Sequence, residues 1–260
     1  MNQTFHFHRF GLMVRRHWAE HRLVYSYGML VMAGFMLLWH ALVRPGDDRQ
    51  PVLLVVSLML FGGFQASVTF GMFAETGRGI AFLMVPASRF EKWLVSFLFS
   101  LLVLPVMLLL YYPITAVMLD YFREADPNGQ YPKEVFFWPD SGFKVIVSMY
   151  FGVHAYALLA SLLFPRQAFI KGTALLFALF VVTFLVNTKI ADWIISDPAI
   201  GTVGNAFPLL NAILVMPNQK NSFLTLELAS SLRIWLHLFL AFFILALYGI
   251  SYIRFTEKEL

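Results

Sequence analysis

Six apolar stretches of membrane-spanning length dominate this sequence and leave few ways for it to fold. They run Leu23–Val43, Val52–Ala74, Trp93–Leu119, Val145–Phe164, Gly172–Val186 and Ile234–Ile253. A helix crossing the hydrocarbon core needs about 20 mainly apolar residues, since each adds 1.5 Å to a slab about 30 Å thick. Five of the six meet that length; the fifth, 172–186, is short and would gain from an earlier start with Lys171 reaching back to the headgroups. Composition agrees: hydrophobic residues are 59% of the 260 and charged residues 13%, against about 25% charged in a soluble domain. Too few charges exist to cover a water-facing surface. The expected fold is all-α, one transmembrane domain over residues 1–260 with six spanning helices, an N-terminal amphipathic helix and a re-entrant segment before the last span.

Lys and Arg set orientation, because they stay on the cytoplasmic side. With the N-terminus inside, the inner segments 1–22, 74–92, 165–171 and 253–260 hold 11 of the 19 Lys and Arg and five of the 15 acidic residues. The outer segments 44–51, 120–144 and 187–233 hold the other 8 and ten, so the inside carries +6 and the outside −2. Both ends are therefore expected in the cytoplasm. The overall charge of +4 reads as membrane orientation, and no nucleic-acid partner is expected. The first apolar run is longer than a signal-peptide core and lacks a small-x-small cleavage site, so it reads as a retained signal-anchor.

Residues 5–21 are amphipathic at helical spacing, with Phe7, Phe10, Val14 and Trp18 on one face and Arg9, Arg16 and Glu20 opposite. That division suits a helix lying in the membrane interface. Within it, His17-Trp18-Ala19-Glu20-His21 fits the H-x-x-E-H pattern of some zinc peptidases. The helix is crowded with Arg15, Arg16 and Arg22 and no third ligand is evident, so a headgroup-binding face is the reading and no metal is assigned. With no cysteine, disulfides and thiolate chemistry are excluded.

The loop 75–92 between the second and third apolar runs is the most informative stretch. Ser88 and Glu91 form an S-x-x-E capping box where a long apolar helix begins. Pro86 holds Val85 extended and stops any helix arriving from upstream. Ile80, Phe82, Leu83 and Met84 are apolar yet outside any span, which marks a surface for a soluble partner; an ordinary capped interfacial loop, with Arg89 and Lys92 on lipid phosphates, is the plainer alternative. Elsewhere, Asp126-Pro127-Asn128-Gly129 signals a turn. Residues 199–216 are apolar but broken by Gly201, Gly204, Asn205, Pro208 and Asn211, which favours a re-entrant or interfacial piece over a lipid-facing helix. Gly63, Ser67 and Gly71 form a small-xxx-small row for close helix packing. His154, His237 and Gln65 are isolated polar groups inside apolar runs, expected to bond to neighbouring helices.

The arrangement resembles the permease subunit of ATP-binding-cassette (ABC) exporters of the six-helix class. The stretch Gly79-Ile80-Ala81-Phe82-Leu83-Met84-Val85-Pro86-Ala87-Ser88-Arg89-Phe90-Glu91-Lys92-Trp93-Leu94 is similar to a loop of uncharacterised permease-like proteins common in Bacteroidetes. So are Phe164-Pro165-Arg166-Gln167-Ala168-Phe169-Ile170-Lys171 and the opening Phe5-His6-Phe7-His8-Arg9-Phe10. The resemblance implies a connecting helix at the N-terminus and a coupling helix at 75–92 seated on a separate ATPase, through Glu75, Arg78, Ile80, Phe82, Leu83, Met84 and Arg89. It implies a homodimer or a pairing with a paralogous permease, membrane lipids around it, and a bacterial inner-membrane location. No G-x-x-x-x-G-K-[ST] occurs, so ATP would belong to the partner and the chain itself is not expected to be an enzyme. The expected function is export of a lipid, peptide or other amphipathic compound. A non-transporting scaffold or assembly factor on the same fold is the alternative, and a membrane-embedded enzyme the less favoured third.

Overall fold

The computed structural model describes residues 4–71, 79, 82, 84–137, 141–164, 166–194, 201–204, 211–215, 223–227 and 230–258. Its helices, in chain order, are α1 (Phe7–Leu42), α2 (Arg49–Ser57), α3 (Gly63–Val68), α4 (Arg89–Leu101), α5 (Val103–Ala125), α6 (Ser141–Leu163), α7 (Ala168–Ile194) and α8 (Ser230–Lys258). A π-helical turn, Leu58–Gly62, joins α2 to α3 without a break. Six helical stretches are long and apolar enough to cross a membrane: Phe7–Leu42, Arg49–Val68, Arg89–Ala125, Gly142–Leu163, Ala168–Ile190 and Ile234–Lys258. The protein is a multi-pass helical membrane protein.

Several boundaries differ from the sequence expectation, each for a physical reason. The amphipathic segment 5–21 is not a separate element, since α1 runs unbroken for 36 residues, about 54 Å at 1.5 Å per residue. No Pro interrupts it, so the helix simply continues past the apolar window. Span five is α7 with 27 residues, well beyond 172–186; Lys171, Asn187 and Lys189 end the apolar window but do not stop a helix. Span three carries two prolines, Pro105 and Pro113. Its break falls at Leu102, between α4 and α5, because Pro105 has no N–H for the carbonyl of Leu101. Pro113 lies inside an uninterrupted α5.

The structure is described as two compact units, residues 1–169 with 247–260, and residues 170–246. The second unit contains an antiparallel sheet ordered β1 (Gly201–Gly204), β2 (Asn211–Val215) and β3 (Phe223–Glu227). Gly201 pairs with Val215 and Asn211 with Glu227. The described parts of 199–216, expected as a re-entrant or interfacial piece, form strands. Gly and Asn disfavour a helix there, while the Ile213-Leu214-Val215 run suits a strand.

In the first unit, one core joins Met32 and Met36 of α1 to Leu53, Leu54 and Leu58, to Met107 and Tyr111 of α5, and to Phe143, Ile146 and Tyr150 of α6. A second gathers Phe70, Trp93, Leu158, Leu162 and Phe255, with Phe82 packed against them. Few polar links cross the first core: His40 Nε2 lies 3.2 Å from Thr115 Oγ1, and the buried Gln50 accepts the Phe136 N–H at 2.7 Å.

Candidate functional site

The start of α4 is built by its own sequence. Ser88 is extended, at φ −68° and ψ 153°, and its hydroxyl accepts the Glu91 N–H at 3.2 Å. The Glu91 carboxylate accepts the Ser88 N–H in return at 2.8 Å. This is the reciprocal capping box expected from S-x-x-E.

Glu91 does more than cap. Its carboxylate is 0% exposed and takes two bonds from Arg9, Nε to Oε2 and Nη2 to Oε1, both 2.9 Å. The His6 N–H adds a third from the N-terminus, at 2.6 Å to Oε1. With Ser88, four donors meet two carboxylate oxygens. A forked guanidinium on a buried carboxylate is among the stronger and most directional contacts a protein makes. It also explains why α1 begins without a side-chain cap at His6: the His6 backbone is held by Glu91 instead. Arg9, assigned from helical spacing to the polar face, therefore turns inward to the third span. Nothing in the sequence ties it to a carboxylate 82 residues away.

Around this clamp the residues singled out in the loop take separate positions. Met84 is 79% exposed. Phe82 packs inward, its ring 6.3 Å from that of the fully buried Phe255 in an edge arrangement. Arg89 is half-buried at the first turn of α4, and Lys92, which the plainer alternative puts on lipid phosphates, is only 4% exposed. Glu75, Arg78, Ile80 and Leu83 lie outside the described residues. Val85 to Ala87 form a tight bend, with the Ala87 N–H donated to the Val85 carbonyl at 2.8 Å.

Farther along α4 lies a cavity of about 310 Å³ between α1, α3 and α4. His17, His21, Tyr25, Gln65, Thr69 and Ser100 are among its lining residues. The pair from the H-x-x-E-H pattern is stacked, ring centroids 4.4 Å apart, with His17 Nε2 2.9 Å from the Tyr25 hydroxyl. Glu20 is drawn away by Arg16 at 2.7 Å. Ser100 continues to His154 Nε2 at 3.0 Å, and His154 Nδ1 meets the Tyr248 hydroxyl at 2.9 Å. His154 is thus bonded to two neighbouring helices, α4 and α8, as a polar group inside a span requires.

In the small-residue row, Gly63 faces Val153 at ordinary contact distance and the buried Ser67 donates to the Phe64 carbonyl at 2.7 Å. Gly71 has open space around it. The tight approach is one residue earlier: a Cβ on Gly62 would run into the Tyr150 ring. The π-turn shifts the register of that helix by one residue and carries Gly62 to the interface, which heptad-like spacing from sequence could not anticipate.

No family model, curated protein or solved structure matches this chain.

Proposed function

We propose that this chain is the permease subunit of an ABC transporter, an exporter of a lipid, peptide or other amphipathic compound, driven by a separate ATPase at its cytoplasmic face. The observation that supports it is the Arg9–Glu91–Ser88 clamp. A partner pressing on the loop at Met84 would move the capped start of the third span, and through Glu91 it would move α1 at the same time. A docking loop needs that rigid attachment to turn a push into helix displacement.

The location of the loop agrees. Residues 6–9, Phe82, 84–91 and Phe255 lie at one end of the first unit, as they must if spans one and two, and all six together, return the chain to the same side. The charge excess of the inner segments supports that side as the cytoplasm, and the resemblance to permease subunits supports a bacterial inner membrane. Two copies, or one with a paralogue, would enclose the transport path. The fifth and sixth helical stretches, each only 6% buried, have apolar surface to give to lipid or to that second subunit.

The test is a photo-crosslinking amino acid placed at Met84 in the intact membrane. The expected product is a light-dependent adduct with an ABC ATPase, weakened by Met84→Asp. Adducts with lipid alone would overturn the docking assignment.

A further inference from the structure

A second site lies at the opposite end of the third span. One face of α5, with Pro105, Leu108, Leu109, Tyr112, Pro113 and Ala116 at i, i+3 and i+4 spacing, floors a groove of about 980 Å³. This floor is apolar and open: Leu109 is 74% exposed. Four charged residues, Asp120, Arg123, Lys133 and Glu134, close the far end. The floor from Pro105 to Ala116 rises about 16 Å, close to the hydrocarbon depth of a single leaflet, about 15 Å. The charges therefore fall where headgroups lie.

The groove is preformed. Its side wall, Val135 and Phe137, is fixed because Gln50 Oε1 holds the Phe136 N–H at 2.7 Å. The Tyr112 and Phe137 rings meet edge-on at 5.3 Å, aromatics at the depth where such rings prefer to sit. Arg123 bonds both Asp120 Oδ1, at 3.0 Å, and the Pro132 carbonyl, which ties the mouth to the helix. Lys133 and Glu134 are exposed, and neither is paired with a described residue.

We infer that this groove binds one bilayer phospholipid with a zwitterionic, ammonium-bearing headgroup. Its acyl chain lies along the α5 floor, its phosphate between Lys133 and Arg123, and its ammonium against Glu134 and Asp120. The mouth carries two cations and two carboxylates, so a net-negative headgroup meets as much repulsion as attraction, whereas a zwitterion satisfies both signs. A cation without a phosphate would leave Lys133 unmatched. This site does not depend on the transport reading; it would serve a scaffold equally.

The experiment is native mass spectrometry of the full chain in detergent, titrated with phosphatidylethanolamine and phosphatidylglycerol of equal chain length. The expected result is one phosphatidylethanolamine retained per chain, preferred by about fivefold, the scale of one cation at a membrane surface. Lys133→Glu should weaken that retention by about the same factor, and adding Glu134→Lys should restore it. Leu109→Trp, at an exposed position, should fill the groove and abolish it. Equal retention of both lipids, or retention unchanged in Leu109→Trp, would overturn the proposal.

Discussion

Glu91 shows how much one side chain decides. A carboxylate with 0% exposure needs every lone-pair direction answered, and here four N–H donors do so. Glu91→Gln keeps the shape but replaces one acceptor oxygen with an amide that points donors at donors. We expect a loss of about 2–3 kcal/mol, the scale of hydrogen bonds to a charged group. Ser88→Ala removes only the cap and should cost about 1 kcal/mol. Thermal unfolding in detergent should rank them in that order; equal losses would mean that Arg9 and His6 add nothing to the cap. The cap itself could be read from S-x-x-E, because it is local. The Arg9 fork could not, because helical spacing records which face a residue occupies and not what is packed against that face.

Among the elements, the second span is the most informative. Its π-turn at Leu58–Gly62 rotates everything after it by one residue relative to an ideal α-helix. Gly62 is thereby pressed against Tyr150, while Gly63 keeps ordinary contact with Val153. Since Tyr150 is buried and cannot swing aside, Gly62→Ala should cost about 1–3 kcal/mol by overpacking. Gly63→Ala should be neutral or mildly stabilising. A thermal-stability comparison of the two variants checks this, and the reverse order would contradict the register. Of the small-residue row read from the sequence, Gly63 meets a neighbouring side chain and Gly71 meets open space, and the tightest residue, Gly62, is not in the row. Elements set by long apolar windows were easier to read, and their ends were not: Lys171 and Lys189 mark where hydropathy falls, whereas backbone hydrogen bonding carries α7 past both.

For the whole molecule, the clamp and the second core place residues 6–9, 82, 84–91 and 255 together, while the turn closed by Gly129 N–H to Asp126 O at 3.0 Å lies one span away. The chain has no cysteine, so single cysteines can report sidedness on a clean background. Met84→Cys and Glu257→Cys should react with a membrane-impermeant maleimide from the same side, and Asn128→Cys from the other. Labelling of Met84→Cys and Asn128→Cys from one side would remove both the even crossing number and the docking site.

What the sequence determined alone was the number and nature of the spans, since burial of backbone polar groups in hydrocarbon allows a long apolar run to be little other than a helix. It also determined the capping box and the Asp126–Gly129 turn, because each is closed by residues within four positions of one another. Tertiary structure alone decided that Arg9 reaches Glu91, that Gly62 and not Gly63 is the contact point, that Phe82 packs inward and Met84 outward, and that strands occupy 201–204 and 211–215. Those outcomes depend on what lies across a helix–helix or strand–strand contact, and a one-dimensional pattern carries the period of a face without the identity of its partner.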